Sequence, residues 1–191
     1  DGTYNIGDDK NAIDISGKLV NTDLIIFQPF LRNLVSDLHG SVSGDISVKG
    51  YINKPEISAV TRFKDASFIV NYLKTPYRVS DDEVKVSKNH IVLNNLKIFD
   101  PNNHEATANG YIDLNKLSDP RIDVDVSTQN FLVLNTTYKD NNLYYGTAYA
   151  TGTFKFKGLT SAMKIDIRAK SNENTTFTIP FNSSMTVSES D

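Results

Sequence analysis

The sequence predicts an all-β protein: an elongated, curved, mainly antiparallel sheet with an apolar interior, plus one short amphipathic α-helix. Three observations predict it. Apolar and polar residues alternate over most of the chain, as in Val42, Gly44, Ile46, Val48, Gly50 and Ile52 with Ser43, Asp45, Ser47, Lys49 and Tyr51 between them. Turn-forming clusters at 53–55, 100–103, 115–120, 139–142 and 171–174 punctuate these runs. One run, Leu143 to Lys157, continues for fifteen residues with no breaker but glycine. It can extend ~50 Å, whereas an ordinary strand has about 5–6 residues. Alternation with one wet face marks an antiparallel sheet, and so long a strand suggests a tall wall rather than a compact sandwich.

Each element follows from the same reasoning. The helix is expected over 28–38, where Phe30, Leu31, Leu34, Val35 and Leu38 are spaced by three and four, Pro29 suits a first helical turn and Gly40 a C-terminal cap. The main curved sheet is expected over 41–187. Alternation returns at Ala106, Ala108, Gly110, Ile112 and Leu114, at Ile122, Val124 and Val126, at Met163, Ile165, Ile167 and Ala169, and at Phe177, Ile179 and Phe181. The stretches "DISGKLVNTDLII", "SVKGYINKPEISAV", "TANGYIDLNKLSDPRIDVDV" and "YATGTFKFKGLTSAMKIDI" share one plan of strand, glycine, strand, turn and alternating strand. Their irregular spacing suggests a sheet extended by similar hairpins rather than a fixed-period solenoid. Gly146, Gly152 and Gly158 share one face of the long strand and are expected to make room along its apolar side.

A chain of 191 residues reads as a single domain, 1–191. Its net charge of −3 argues against nucleic acid as a partner. There is no cysteine, hence no disulfide framework or thiolate metal site. No stretch approaches the roughly 20 apolar residues of a membrane helix, and the abrupt polar ends read as those of a soluble segment of a longer protein.

Tests for chemistry return nothing. Gly152 is followed by Thr153, and the residues after Gly158 alternate like a strand, so no P-loop is present. In "GSVSG", Gly40 to Gly44, valine stands where a nucleophile elbow needs serine. His39, His90 and His104 are scattered; His104, with Glu105 beside it and Asp100 four residues back, reads as a surface loop residue rather than a metal ligand. The acidic trio in Ser80 to Val84 reads as a solvated turn. No catalytic residue, metal site or cofactor is expected, and the protein reads as a non-enzyme.

What remains is the apolar face. The residues expected to line it are Ile46, Val48, Ile52, Ile57, Phe68, Ile91, Leu93, Ala106, Ala108, Ile112, Ile122, Val124, Ala148, Ala150, Phe154, Phe156, Ile165, Ile167, Phe177 and Ile179. Plain core packing in a β-sandwich would give the same alternation. A sheet folded on itself without closing would instead leave a trough suited to acyl chains.

The order and spacing of several segments resemble the TamB translocation and assembly module family, within the AsmA-like group. They are "LVSDLHGSVSGDISVKGYINKPEISA" (34–59), "ASFIVNYLKTPYRV" (66–79), "NFLVLNTT" (130–137), "LYYGTAYATGTFKFKG" (143–158) and "TTFTIPF" (175–181). The Asn- and Lys-rich composition resembles members from Bacteroidetes. The resemblance implies a long sheet curled into a U or taco shape with an apolar interior. It also implies a periplasmic location in a Gram-negative envelope, an inner-membrane anchor elsewhere in the parent protein, and a TamA-like partner barrel of the Omp85 type. The implied function is to conduct phospholipid between the membranes and support outer-membrane biogenesis and protein secretion. Two alternatives remain: a scaffold that assembles outer-membrane barrels or autotransporters by β-augmentation, and a secreted β-sandwich adhesin or carbohydrate-binding module.

Overall fold

The fold is taken from a computed structural model that describes residues 2–3, 12–51, 54–71 and 73–180. Ile52 and residues 181–187 of the expected sheet lie outside the described residues. Among the described residues twelve strands form one sheet: β1 Gly2–Thr3, β2 Ala12–Asp23, β3 Val35–Tyr51, β4 Lys54–Val70, β5 Thr75–Val79, β6 Glu83–Ser87, β7 His90–Phe99, β8 Glu105–Asp113, β9 Arg121–Thr136, β10 Tyr145–Leu159, β11 Ala162–Ser171 and β12 Thr176–Thr178. Every pairing is antiparallel, and the main path runs β1-β2-β3-β4-β5-β7-β8-β9-β10-β11. Among the described residues no pairing joins the two ends of this path, so the sheet does not close into a barrel.

The expected helix is much shorter than 28–38. A 3-10 turn, Leu24–Phe27, leads into α1, Gln28–Leu31, with Pro29 in its first turn; strand β3 begins at Val35. Val35 pairs with Val70, and a bulge follows between Ser36 and His39 with Asp37 at φ 55°. The extra residue lets Val35 and Leu38 share the buried side of a strand although three residues separate them, which imitates a helical period. Gly40 is not a helix cap. It lies inside β3 at φ 96°, where a Cβ would come within 2.6 Å of Asp65 O.

The long strands are creased rather than straight. Five of them carry one Asn or Asp in the left-handed region within the strand: Asn21 on β2, Asp37 on β3, Asp65 on β4, Asn95 on β7 and Asn130 on β9, with φ of 45°, 55°, 53°, 54° and 47°. The register slips beside each of these residues. A bulge leaves one backbone N–H out of the ladder and bends the strand. In four cases a side chain on the next segment takes up that donor. Asn21 N donates to Ser43 Oγ (2.9 Å), Asp65 N to Asp81 Oδ1 (2.9 Å), Asn95 N to Asn109 Oδ1 (2.8 Å) and Asn130 N to Thr151 Oγ1 (2.9 Å).

The crease divides the sheet into two arms. β4 pairs with β6 through Ala59–Arg62 and with β5 through Ser67–Val70, while residues 80–82 interrupt the strand between them. β10 likewise pairs with β11 through Ala150–Leu159 and with β12 through Tyr145–Thr147. The tips of the hairpins are laced together. Asn89, buried, accepts from Ile57 N (2.5 Å) and donates to Pro55 O and Asn115 Oδ1 (both 2.9 Å). Asp119 accepts from Ser161 N and Thr160 Oγ1. These contacts hold each rim as a unit.

Candidate functional site

One side of the sheet is apolar across nearly its whole width, because register aligns the inward residues in rows. Ile15, Val48 and Ile57 are in line, as are Ile46, Ala59, Val86, Ile91, Ile112 and Ile122. Leu93 leads through Gly110 to Val124, Phe156 and Ile165, and Leu96 through Ala108 to Val126, Phe154 and Ile167. Ile98 leads through Ala106 to Thr128, Gly152 and Ala169. The other side carries charge: Lys49 pairs with Asp14 (3.3 Å), Lys155 with Asp125 (2.8 Å) and Lys157 with Asp123 (3.1 Å). Such exposed pairs stabilise little, but they mark this as the solvated face.

Among the described residues no second sheet covers the apolar side, yet its middle is closed to water. Ala106 and Ala108 are 1 % exposed and Val84 3 %. Residues from both arms, including Ile91 and Ile112 on one and Val79 and Ile98 on the other, pack against a cluster of Val84, Leu96, Ala108, Ile122 and Val124. The sheet therefore curls toward this side and supplies its own cover. Beyond the tip of the β7–β8 hairpin, β5 and β9 meet directly. Tyr77 stacks on Phe131 with ring centroids 5.2 Å apart and donates its hydroxyl to Leu132 O (2.8 Å), while Asn135 N donates to Leu73 O (3.0 Å). Burial pushes the Tyr77 phenol far above its usual range, so it remains a donor.

Nineteen of the twenty expected lining residues, all but Ile52, are described and divide by position. Ala106, Ala108, Ile122, Val124, Ala150 and Phe154 are buried. Ile46, Val48, Ile57, Phe68, Ile91, Leu93, Ile112, Ala148 and Phe156 are half-buried. Ile165, Ile167, Phe177 and Ile179 are exposed, the last three more than half. The face is thus packed at its centre and open at the β11–β12 end, and Ile15, 47 % exposed, opens it at the β2 end. Leu96 and Phe131, on the same face but outside the expected lining, lie just beyond bulges, where parity resets. The glycines of β10 do not widen the trough as expected. Gly146 stands at φ 140°, and a Cβ there would lie 2.0 Å from Thr176 O on β12, so glycine is required by the neighbouring backbone.

The 3-10 turn and α1 fill one end of the trough. Leu24, Phe27 and Leu31 pack on Leu38, Val42 and Ala66, and Gln28 Oε1 accepts from Leu38 N (3.1 Å). On the solvated side, Asp100 ties the β7–β8 hairpin to β9. Its carboxylate, fully buried, accepts from Asn102 N (2.8 Å) and from His104 N, His104 Nδ1 and Leu132 N (each 2.9 Å). His104 sits edge-on to Tyr149, whose hydroxyl accepts from Asn102 Nδ2 (2.9 Å). This cluster uses its polar groups internally. Among the described residues no three His, Asp or Glu side chains converge as a metal site, and no helix is long and apolar enough to cross a membrane. Two clefts of about 280 and 310 Å³ lie at the β5–β6 interruption and beside α1.

The arrangement presents a continuous non-polar surface. It can shield apolar matter from water, and its rows of similar side chains offer many near-equivalent positions along the trough. Residues 94–191 match the family model for the TamB C-terminal domain. No curated protein matches the chain, and no solved structure does.

Proposed function

The chain belongs to the TamB family, and on that premise we propose that its creased apolar face holds lipid acyl chains as one segment of a conduit between the two membranes of a cell envelope. TamB-family proteins act in outer-membrane assembly with TamA-type partners of the Omp85 class. The lipid carried is phospholipid, passing through the periplasm within a parent protein anchored in the inner membrane. One observation carries it: among the described residues, apolar register rows run from β7 to β11 without a second sheet over them and end in exposed Ile165 and Ile167. Each methylene removed from water is worth roughly 0.8 kcal/mol, so a tail is retained without specific contacts. Near-uniform rows keep neighbouring positions close in energy, which favours sliding. The single continuous sheet of the described residues weighs against the β-sandwich adhesin or carbohydrate-binding module.

Photo-crosslinkers test the face directly. At Ala148 and Ile165 they are expected to capture phospholipid, identified by extraction and mass spectrometry; at Tyr149 and Lys164, on the solvated side, they are not. Equal labelling of both sides sinks the reading. A second reading is favoured by one feature: among the described residues β11 is paired on one side only, through Ala162–Leu159 to Ser171–Ala150. Its other edge offers ten residues of unpaired backbone for β-augmentation by an outer-membrane strand. Strand-length peptides that bind that edge and protect its amides from exchange would support it.

A further inference from the structure

The β9–β10 turn exposes apolar side chains from a tightly built frame. Thr137 N and Thr137 Oγ1 donate to Asp140 Oδ2 (2.8 and 2.7 Å), Asn141 N donates to Thr137 O (3.1 Å), and Leu143 N donates to Asn141 Oδ1 (2.9 Å). Hydrogen bonds from the Thr137 backbone, then its hydroxyl, hold the Asp140 carboxyl below the usual range, with a smaller contribution from Lys74 on the adjoining turn. The carboxylate is therefore committed to the turn. On this frame Leu143 is 72 % exposed, the highest value for any large hydrophobic side chain among the described residues. Aromatic residues flank it in sequence: Tyr138, itself 58 % exposed, meets Tyr145 edge-on at 5.8 Å, and Tyr144 stacks on exposed Phe177 at 6.0 Å.

Cations border this patch. Lys139 is exposed on the turn, and Asn135 N to Leu73 O (3.0 Å) brings the exposed Lys74 alongside. The same rim continues to Arg32, whose carbonyl accepts from Asn71 Nδ2 (2.9 Å). A protein–protein contact is depleted in lysine relative to the rest of the surface. A membrane interface instead combines tyrosine at headgroup depth, an aliphatic side chain below it and lysine against anionic lipid. The composition and charge of the patch fit the second.

We propose that the turn Thr137–Tyr145 is a membrane-interface contact, with Leu143 entering the acyl boundary, Tyr138 and Tyr144 at headgroup level, and Lys139 and Lys74 facing anionic headgroups. Gly146, the next residue of β10, is paired with Phe177 on the apolar side, so a bilayer at this turn lies at the mouth of the trough. That adjacency serves lipid entry or exit and rests on the lipid-carrying reading; the contact itself does not.

Co-sedimentation of the 191-residue chain with phosphatidylcholine vesicles, with and without phosphatidylglycerol, tests it. The expected result is binding that strengthens with phosphatidylglycerol and weakens with salt. Leu143→Asp is expected to lower partitioning at least about tenfold on both vesicle types, and Lys139→Glu only on anionic ones. Circular dichroism should be unchanged, because both side chains are exposed. Absence of vesicle binding by the unmodified chain overturns the proposal, as does binding indifferent to Leu143→Asp. A concentration-dependent dimer that Leu143→Asp dissolves also overturns it, by assigning the patch to a second copy. Crosslinking at Ala148 and Ile165 is read in parallel: lipid capture without vesicle binding sinks this contact and leaves the trough, and the converse sinks the trough alone.

Discussion

Asp100 shows how a residue that resembles a site candidate serves the fold. With its side chain fully buried, desolvation alone would raise its pKa. Donors from Leu132 N, the His104 ring, His104 N and Asn102 N outweigh that and hold it below the ordinary carboxylate range. A folded-state pKa below the unfolded one contributes stability that is complete above the unfolded value, near pH 4, and is lost as pH falls through it toward the folded value. Asp100→Ala is expected to cost roughly 3 kcal/mol at neutral pH, since it orphans several buried donors. Urea midpoints measured between pH 7 and pH 3 should show a shallower acid decline for Asp100→Asn than for the unmodified protein. Asp119 and Asp140, also depressed by hydrogen bonds, keep the decline from vanishing. The sequence shows Asp100 and His104 at a spacing of four in a Pro-Asn loop. The Leu132 amide that completes the cluster comes from thirty-two residues away, where spacing carries no signal.

At the scale of elements, the crease depends on a backbone device repeated along the sheet. An Asn or Asp takes the left-handed conformation, and the next segment lends a side-chain acceptor. Asn95→Gly should be tolerated, since glycine enters that region freely, whereas Asn95→Val should cost about 2 kcal/mol because a β-branched residue does not. Asn109→Ala leaves the Asn95 amide to water and should cost about 1 kcal/mol. Chemical denaturation of the three variants orders them, and equal effects of glycine and valine would remove the conformational argument. The strands themselves were legible, because alternation and turn chemistry are local. The turn chemistry at 100–103, 115–120, 139–142 and 171–174 coincides with connections between strands. The crease was not legible. An Asn inside a run, such as Asn95 or Asn130, reads either as one more solvent-facing residue or as a turn. Its bulge then shifts parity, so that Leu96 drops out of the expected lining and Val35 and Leu38 pass for a helix.

For the molecule as a whole, the open question in the sequence was whether the apolar face is a core or a trough, and burial gives each description its region. Near the crease the face behaves as a core: Ala108, 1 % exposed, lies between Leu96 and Val126. At β11 it behaves as an open wall: Ile167, on the row that contains Ala108, is 61 % exposed beside Phe154. Two substitutions of the same kind on that row should therefore have opposite consequences. Ala108→Asp buries a charge with no partner and should cost more than about 4 kcal/mol, enough to unfold a domain of ordinary stability. Ile167→Asp places the charge where water already reaches and should cost less than about 1 kcal/mol. The same charge would nevertheless interrupt the apolar row, so the Ile167→Asp chain should fold, keep its thermal midpoint within a few degrees, and lose crosslinking of phospholipid at Ile165 while the parent protein loses lipid passage. Unfolding of the Ile167→Asp variant would show that the β11 end is packed in solution and would close the trough. Undiminished lipid capture by a folded variant would move the lipid path away from β11.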